Sequence, residues 1–265
     1  MERELPAEIV AQAVYGMYVE DSGLVFNNRL LQGLFYGGQF RAEQWEVDDL
    51  EERTGPLKDD YGNDWRHRFI VAADLARRND YTVIMAFDVT AVPRSFAQLV
   101  YYHRLNRVSW ETIYAAIGYA AVRFKSEVLL DNTGMGGDVV EDELGSRFYC
   151  LECGITVPYS LTGGAAICPT CRGVGERFEV AGFNFSGKRK EQMITRLQAA
   201  LSYGDGWWGE MGLLRMPRIE QVVNEMTFYR LDDKKLDTDC VMALGLVSQQ
   251  LEFEETGGVI GSIHG

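Results

Sequence analysis

Two sets of residues in this sequence have types and spacings that suit chemistry. The first is a pair of C-x-x-C motifs, Cys150-Leu-Glu-Cys153 and Cys168-Pro-Thr-Cys171, separated by fourteen residues. Each pair offers two thiolates to one tetrahedral ion, and the spacing is that of a zinc ribbon. Four sulfur ligands leave no open coordination position, so the expected Zn2+ is structural rather than catalytic. A redox dithiol needs only one pair, and disulfides do not persist in a reducing compartment. Gly154, Gly163, Gly164, Gly173 and Gly175 supply the tight turns such a ribbon requires. The fifth cysteine, Cys240, lies in an apolar run and reads as a buried thiol.

The second set is acidic. Asp74 closes the apolar run that starts at Phe69, Asp131 closes Glu127-Val-Leu-Leu, and Asp239 leads into Cys240-Val-Met-Ala-Leu-Gly-Leu-Val247. Taken singly, each has a plain role: a strand end in contact with solvent for Asp74, a helix N-cap for Asp239. Taken together, two carboxylates at strand ends and one at a helix start can converge on one rim of a sheet. Such a cluster suits Mg2+ or Mn2+, which prefer carboxylate oxygens. Two such ions about 3.5–4 Å apart hydrolyse phosphodiesters, one activating water and the other stabilising the leaving oxygen. His67, His103 and His264 are the only histidines, too few for a histidine-based nuclease or a Ser-His-Asp hydrolase. No G-x-x-x-x-G-K-[ST] occurs, so nothing supports an ATP-driven motor.

The elements that would position these groups follow from periodicity. Phe69 to Asp74 and Tyr81 to Val89 read as a β-hairpin around the polar turn Arg77, Arg78, Asn79 and Asp80. Gln98 to Arg104 reads as a third strand. Ser109 is a good N-cap for a helix with apolar positions at Trp110, Ile113, Tyr114, Ile117, Ala120, Ala121 and Phe124. The strand Glu127–Asp131, a glycine-rich turn and a helix over Asp138–Leu144 precede the cysteines; a strand over Val180–Phe185 follows them. Three hairpin-linked strands and one reached through a helical crossover imply an α/β fold with a mixed sheet flanked by helices. Pro217 is expected to start a helix bearing Ile219, Val222, Val223 and Met226. Residues 1–66 read as an extension: a helix over Glu8–Val19, then an irregular, glycine-containing linker without chemistry.

Lys188, Arg189 and Lys190 stand in the first turn of the helix that opens at Ser186. Cations there oppose the helix dipole by about 0.3–1 kcal/mol each. They are either a solvated helix end or a phosphate contact made with the N-terminal amides.

Composition sets the outer limits. The 265 residues are 46% hydrophobic with a net charge of −13, an ordinary globular balance that argues against a generic polyanion binder. Any nucleic-acid site must be a local basic strip or must use metal ions to offset the carboxylates. The apolar runs are shorter than the roughly 20 residues of a membrane helix, and Met1-Glu-Arg-Glu lacks the features of a secretory signal. Cytoplasm is the default compartment, with no membrane partner.

Four segments, in order, carry a family resemblance: Val71-Ala-Ala-Asp-Leu-Ala76 with Asp80-Tyr-Thr-Val83, Leu129-Leu-Asp-Asn-Thr-Gly-Met-Gly136, Phe185-Ser-Gly-Lys-Arg-Lys-Glu191, and Asp237-Thr-Asp-Cys-Val-Met-Ala-Leu244. Over residues 68–250 the chain resembles the nuclease domain of the tailed-bacteriophage terminase large subunit, which has a ribonuclease H-like fold. The resemblance implies a metal-dependent endonuclease that cuts concatemeric double-stranded viral DNA during genome packaging in the cytoplasm of the bacterial host. It implies that Asp74, Asp131 and Asp239 are the catalytic, metal-binding acids, joined by Asp237 as a metal ligand. It implies DNA contacts from Lys188, Arg189, Lys190, Arg77 and Arg78, and as partners the terminase small subunit, the portal and the ATPase domain of the large subunit. Residues 1–66 then correspond to a linker from an ATPase domain this chain lacks. Residues 67–145 and 179–255 form the nuclease, 146–178 an inserted zinc ribbon, and 256–265 a flexible tail. Most members known to us lack this ribbon, whose role is DNA contact, partner contact or the stapling of an insertion. The alternatives are a related resolvase or transposase nuclease of the same fold, and a non-catalytic zinc-ribbon adaptor.

Overall fold

A computed structural model describes residues 24–58, 61–62, 64–75, 81–92, 95–131, 133, 138–185, 188–202, 212–231 and 238–251. Along the chain run α1 (Asn28–Leu34), β1 (Phe35–Phe40), β2 (Gln44–Glu46), α2 (Leu50–Thr54), and the short pair β3 (Leu57–Lys58) and β4 (Asp64–Trp65). The strands β5 (Phe69–Asp74), β6 (Tyr81–Asp88) and β7 (Ala97–Asn106) come next, then α3 (Trp110–Phe124), β8 (Val128–Asp131) and α4 (Asp138–Gly145). The cysteine segment holds β9 (Arg147–Cys150), β10 (Ile155–Pro158) and β11 (Glu176–Arg177). The chain continues with β12 (Val180–Phe183), α5 (Lys188–Ser202), β13 (Leu214–Ile219), α6 (Glu220–Phe228) and α7 (Asp239–Gln250).

The main sheet has the order β1-β13-β7-β6-β5-β8-β12, with β2 added alongside β7. β5, β6 and β7 are antiparallel neighbours, as the two hairpin connections dictate, while β8 joins β5 and β12 joins β8 in parallel. The sheet is therefore mixed, and α3 is the crossover that carries the chain from β7 to β8. Its strands are apolar almost without alternation because both faces are covered. Ala72, Met85 and Phe87 belong to a core shared with α1, α5, α6 and α7; Val71, Ala73, Ile84 and Ala86 face a second core built on α3 and α4. Ser109 caps α3 as its residue type predicts, accepting a hydrogen bond from Thr112 N at 3.2 Å.

Two expectations are corrected. The stretch read as an irregular linker packs into the fold: Phe26, Leu31, Leu34 and Phe35 are buried in the main core, β1 pairs with β13, and β2 pairs with β7. Its helix and strands are short, and their apolar residues register only against partners distant in sequence. Pro217 does not start a helix; it lies inside β13, and the helix begins at Glu220. The ladder from β13 to β7 is registered only at Leu214 and Arg215, so the donor that proline lacks is not required on that side two residues later. The predicted helix over Glu8–Val19 lies outside the described residues.

The cysteine segment folds as a separate three-stranded antiparallel sheet, β10-β9-β11, with its own small core of Phe148, Cys150, Val157 and Cys168. It rests on α3 at Gly118, where an added Cβ would meet Thr156 Cγ2 at 2.8 Å and Tyr149 Cδ2 at 3.0 Å. The glycine is what lets the ribbon sit this close to the helix.

Candidate active site and metal centre

The register of the central strands decides where the acids fall. β5 and β8 run parallel with Val71 opposite Val128, Ala72 opposite Leu129 and Ala73 opposite Leu130, so Asp74 and Asp131 come at the same level on adjacent strands. On the far side of β8, Phe183 is the registered partner of Asp131, and the chain leaving β12 there runs toward α5. Thr133 fixes both segments: its backbone N–H donates to Asp131 Oδ1 at 2.7 Å, and its hydroxyl oxygen accepts from Phe185 N at 2.6 Å.

Asp239 arrives from the other end of the sequence. It is the first residue of α7 and not its N-cap, a position held by Thr238. Its Oδ2 accepts from the backbone N–H of Tyr81 at 3.1 Å, which ties the helix start to the start of β6, across the hairpin from Asp74. The N-cap role is thus not the one Asp239 plays.

Gathering these acids has an electrostatic cost. The carboxyl of Asp74 is held well above the usual carboxylate range, first by burial, then by the negative charges of Asp131, Asp239 and Glu225. A hydrogen bond between the two side chains raises Asp74 further and lowers Asp131. Burial also raises Asp131, opposed by its hydrogen bonds from Thr133 and Asp74 and by the positive charge of Lys190. Buried like charges disfavour the ionised forms unless a cation joins them.

Glu225, on α6, is a member of this acidic cluster that sequence reasoning missed. It is 8% exposed, and its Oε2 accepts from Cys240 N at 2.7 Å, so it caps α7 one residue after Asp239. Its Oε1 lies 3.6 Å from Arg104 Nη2 and lacks a hydrogen-bond partner among the described residues. Burial first, and the charge of Asp239 second, push this carboxyl up to about 7. No local signal distinguishes a buried glutamate on an amphipathic helix from an exposed one; only the packing of α6 against α7 does.

Of the expected DNA-contacting cations, Lys188 and Arg189 are exposed at the start of α5, and Lys190 is half-buried with its Nζ 5.9 Å from the ring centre of Tyr229. Lys190 is the member of the trio that acts on Asp131 electrostatically. Arg77, Arg78 and Asp237 lie outside the described residues.

The cysteines meet in the ribbon. The sulfurs of Cys150, Cys153, Cys168 and Cys171 all lie within 4.8 Å of one another, with Cys150–Cys171 at 3.4 Å and Cys153–Cys168 at 3.8 Å. A tetrahedron with Zn–S bonds of about 2.3 Å has sulfur–sulfur edges near 3.8 Å. The two knuckles share one geometry. Gly154 N donates to Cys150 O and Arg172 N to Cys168 O, both at 2.9 Å, and both residues adopt left-handed backbone, φ 66° and 67°. The arrangement fits zinc. Among the described residues this is the group of ligand atoms drawn that close.

This fold, a mixed sheet flanked by helices, here with a four-cysteine ribbon, is shared with solved phage terminase nuclease domains. The large terminase nuclease from thermophilic phage G20c, solved with bound magnesium, matches at a TM-score of 0.54 and 17% identity, covering 86% of this chain and 98% of that one. The Thermus phage P74-26 large terminase nuclease domain matches at 0.53 and 16% identity, covering 87% of this chain and 97% of that one. The G20c nuclease has also been solved with bound zinc and with bound cobalt. No protein-family model and no curated protein sequence matches this chain. Among the described residues no helix is long and apolar enough to cross a membrane.

Proposed function

We propose that this chain is a divalent-metal-dependent endonuclease that cuts double-stranded viral DNA during genome packaging. The observation that carries this reading is the convergence of Asp74, Asp131 and Asp239, from three distant parts of the sequence, into one mutually repelling cluster on a fold shared with phage terminase nucleases. Asp74, Asp131 and Asp239 are the metal-binding catalytic acids, with Asp237 as a further ligand. Two Mg2+ or Mn2+ ions held there supply an activated water and stabilisation of the leaving oxygen. The chain's own part is to hold the carboxylates in place: Thr133 fixes Asp131, Tyr81 N fixes Asp239, and Glu225 caps the helix on which Asp239 sits. Lys188, Arg189 and Lys190 take the DNA backbone beside Asp131, and Arg77 and Arg78 extend that contact. Zn2+ in the ribbon is structural.

With a net charge of −13 the chain engages DNA weakly by itself. Tight engagement comes from the ATPase domain, the small subunit and the portal, in the cytoplasm of the infected host. The test is plasmid cleavage by the purified chain with Mg2+, Mn2+ or excess EDTA, wild type beside Asp131→Ala. Metal-dependent cutting that is lost in the variant is the expected result. Cutting that survives Asp131→Ala overturns the assignment of the acids, and none from a folded, zinc-loaded chain given its packaging partners overturns the proposal in favour of a zinc-ribbon adaptor.

A further inference from the structure

A second site lies at the other end of the central strands. Asp74 ends β5 at the acidic cluster; Phe69 begins it, about 17 Å away at roughly 3.3 Å per residue. There a cavity of about 440 Å³ opens between the strand entry, α2 and the end of α3. Its lining includes Arg53, Arg66, Arg68, Arg123 and Lys125, five permanent cations in a chain whose net charge is −13.

Only some of that charge is neutralised. Asp88 is 6% exposed and holds Arg53 Nη1 at 2.9 Å and His67 Nδ1 at 2.6 Å, while its other oxygen accepts from the Thr90 hydroxyl and backbone N–H. Arg53 also meets Asp49, and Arg123 meets Glu51. Arg66, Arg68 and Lys125 are exposed, and among the described residues none has a carboxylate within ion-pairing distance. Lys125 and Arg123 sit at the C-terminal end of α3, where cations favour the helix dipole. That account does not reach Arg66 and Arg68, which precede a strand.

The cavity also has an aromatic wall of His67, Phe69 and Phe124, which Trp65 extends outside the lining. Trp65, His67, Phe69 and Phe124 form a continuous series of ring contacts with centroid separations of 5.0, 6.1 and 5.1 Å, and Trp65 at its outer end is exposed. Guanidinium groups match phosphate geometry, Arg53 being held in place by the buried Asp88, and exposed aromatic faces stack on bases. We propose that this cavity binds a nucleotide unit, phosphate against the arginines and base against the Trp65–Phe69 rings. The ligand is either a free nucleotide or one residue of a single strand.

The experiment measures binding of ADP, of a fluorescein-labelled twelve-residue oligothymidylate and of inorganic phosphate, without added divalent ions. Wild type is compared with the double variant Arg66→Glu/Arg68→Glu and with Arg41→Glu. Both arginines are exposed, so the double variant is expected to fold, which circular dichroism checks. The expected result is at least a tenfold loss of affinity in the double variant and less than a threefold change in Arg41→Glu, an exposed cation outside both sites. A loss confined to ADP identifies the free nucleotide, and one confined to the oligonucleotide identifies the strand; either supports the site. Failure of wild type to bind any probe, or affinities within twofold in the double variant for all of them, overturns it. Because no divalent ion is added, this result is independent of whether the acidic cluster cuts DNA.

Discussion

Replacing Glu225 with glutamine isolates the cost of gathering carboxylates around Asp239. The glutamate carboxyl moves from its ordinary 4.5 up to about 7 in the folded chain. Between those values the folded chain still holds the proton and the unfolded chain has released it, so stability falls as pH rises through that window. At about 1.4 kcal/mol per pKa unit, the full penalty above pH 7 is about 3 kcal/mol. Roughly 2 kcal/mol of it develops between pH 5.5 and pH 8.5. Glutamine keeps an oxygen to accept from Cys240 N, where the present bond is 2.7 Å, and removes the charge. Asp74 and Asp131 are raised in the same direction and remain in both chains. In urea unfolding followed by circular dichroism, without divalent ions, Glu225→Gln should gain about 2 kcal/mol relative to wild type on going from pH 5.5 to pH 8.5. A difference between the two chains that is equal at both pH values would refute the reasoning, because it would mean Glu225 titrates normally in the folded state.

Three further outcomes are expected. Arg172→Gly relieves the left-handed backbone at φ 67° and should stabilise the ribbon by about 1 kcal/mol, read as slower zinc release to a chromogenic chelator. Cys171→Ser should lower the bound zinc below one equivalent by atomic absorption while the main sheet stays folded, because the ribbon core and the two cores of the main sheet are separate clusters. Gly118→Ala places a methyl group 2.8 Å from Thr156 Cγ2 and should cost about 1–3 kcal/mol in urea unfolding with zinc still bound.

Much of this molecule is written locally. The placing of Asp74 and Asp131 at neighbouring strand ends is legible because each ends a short apolar run, and a run that stops at a carboxylate marks where a buried strand meets the sheet edge. The paired C-x-x-C spacing is likewise local, since each knuckle closes over four residues with one backbone hydrogen bond. The order of strands and helices from Phe69 to Asp131 follows from the same short-range periodicity, as does the cap at Ser109.

What tertiary structure alone decided depends on partners far apart in the chain. Residues 24–58 look irregular because α1, β1 and β2 are too short to declare a period, and they become elements only against β13 and β7. Pro217 looks like a helix start, yet it occupies a strand where the ladder to β7 has ended. Asp239 looks like an N-cap until Tyr81 N takes its carboxylate, 158 residues away in sequence. Glu225 and the basic cavity have no local signature, since burial of a carboxyl and convergence of Arg53, Arg66, Arg68 and Arg123 are properties of packing. Sequence determines which groups are available and how each short segment folds; which of them meet is set by strand register and helix packing, whose energies arise between segments and not within them.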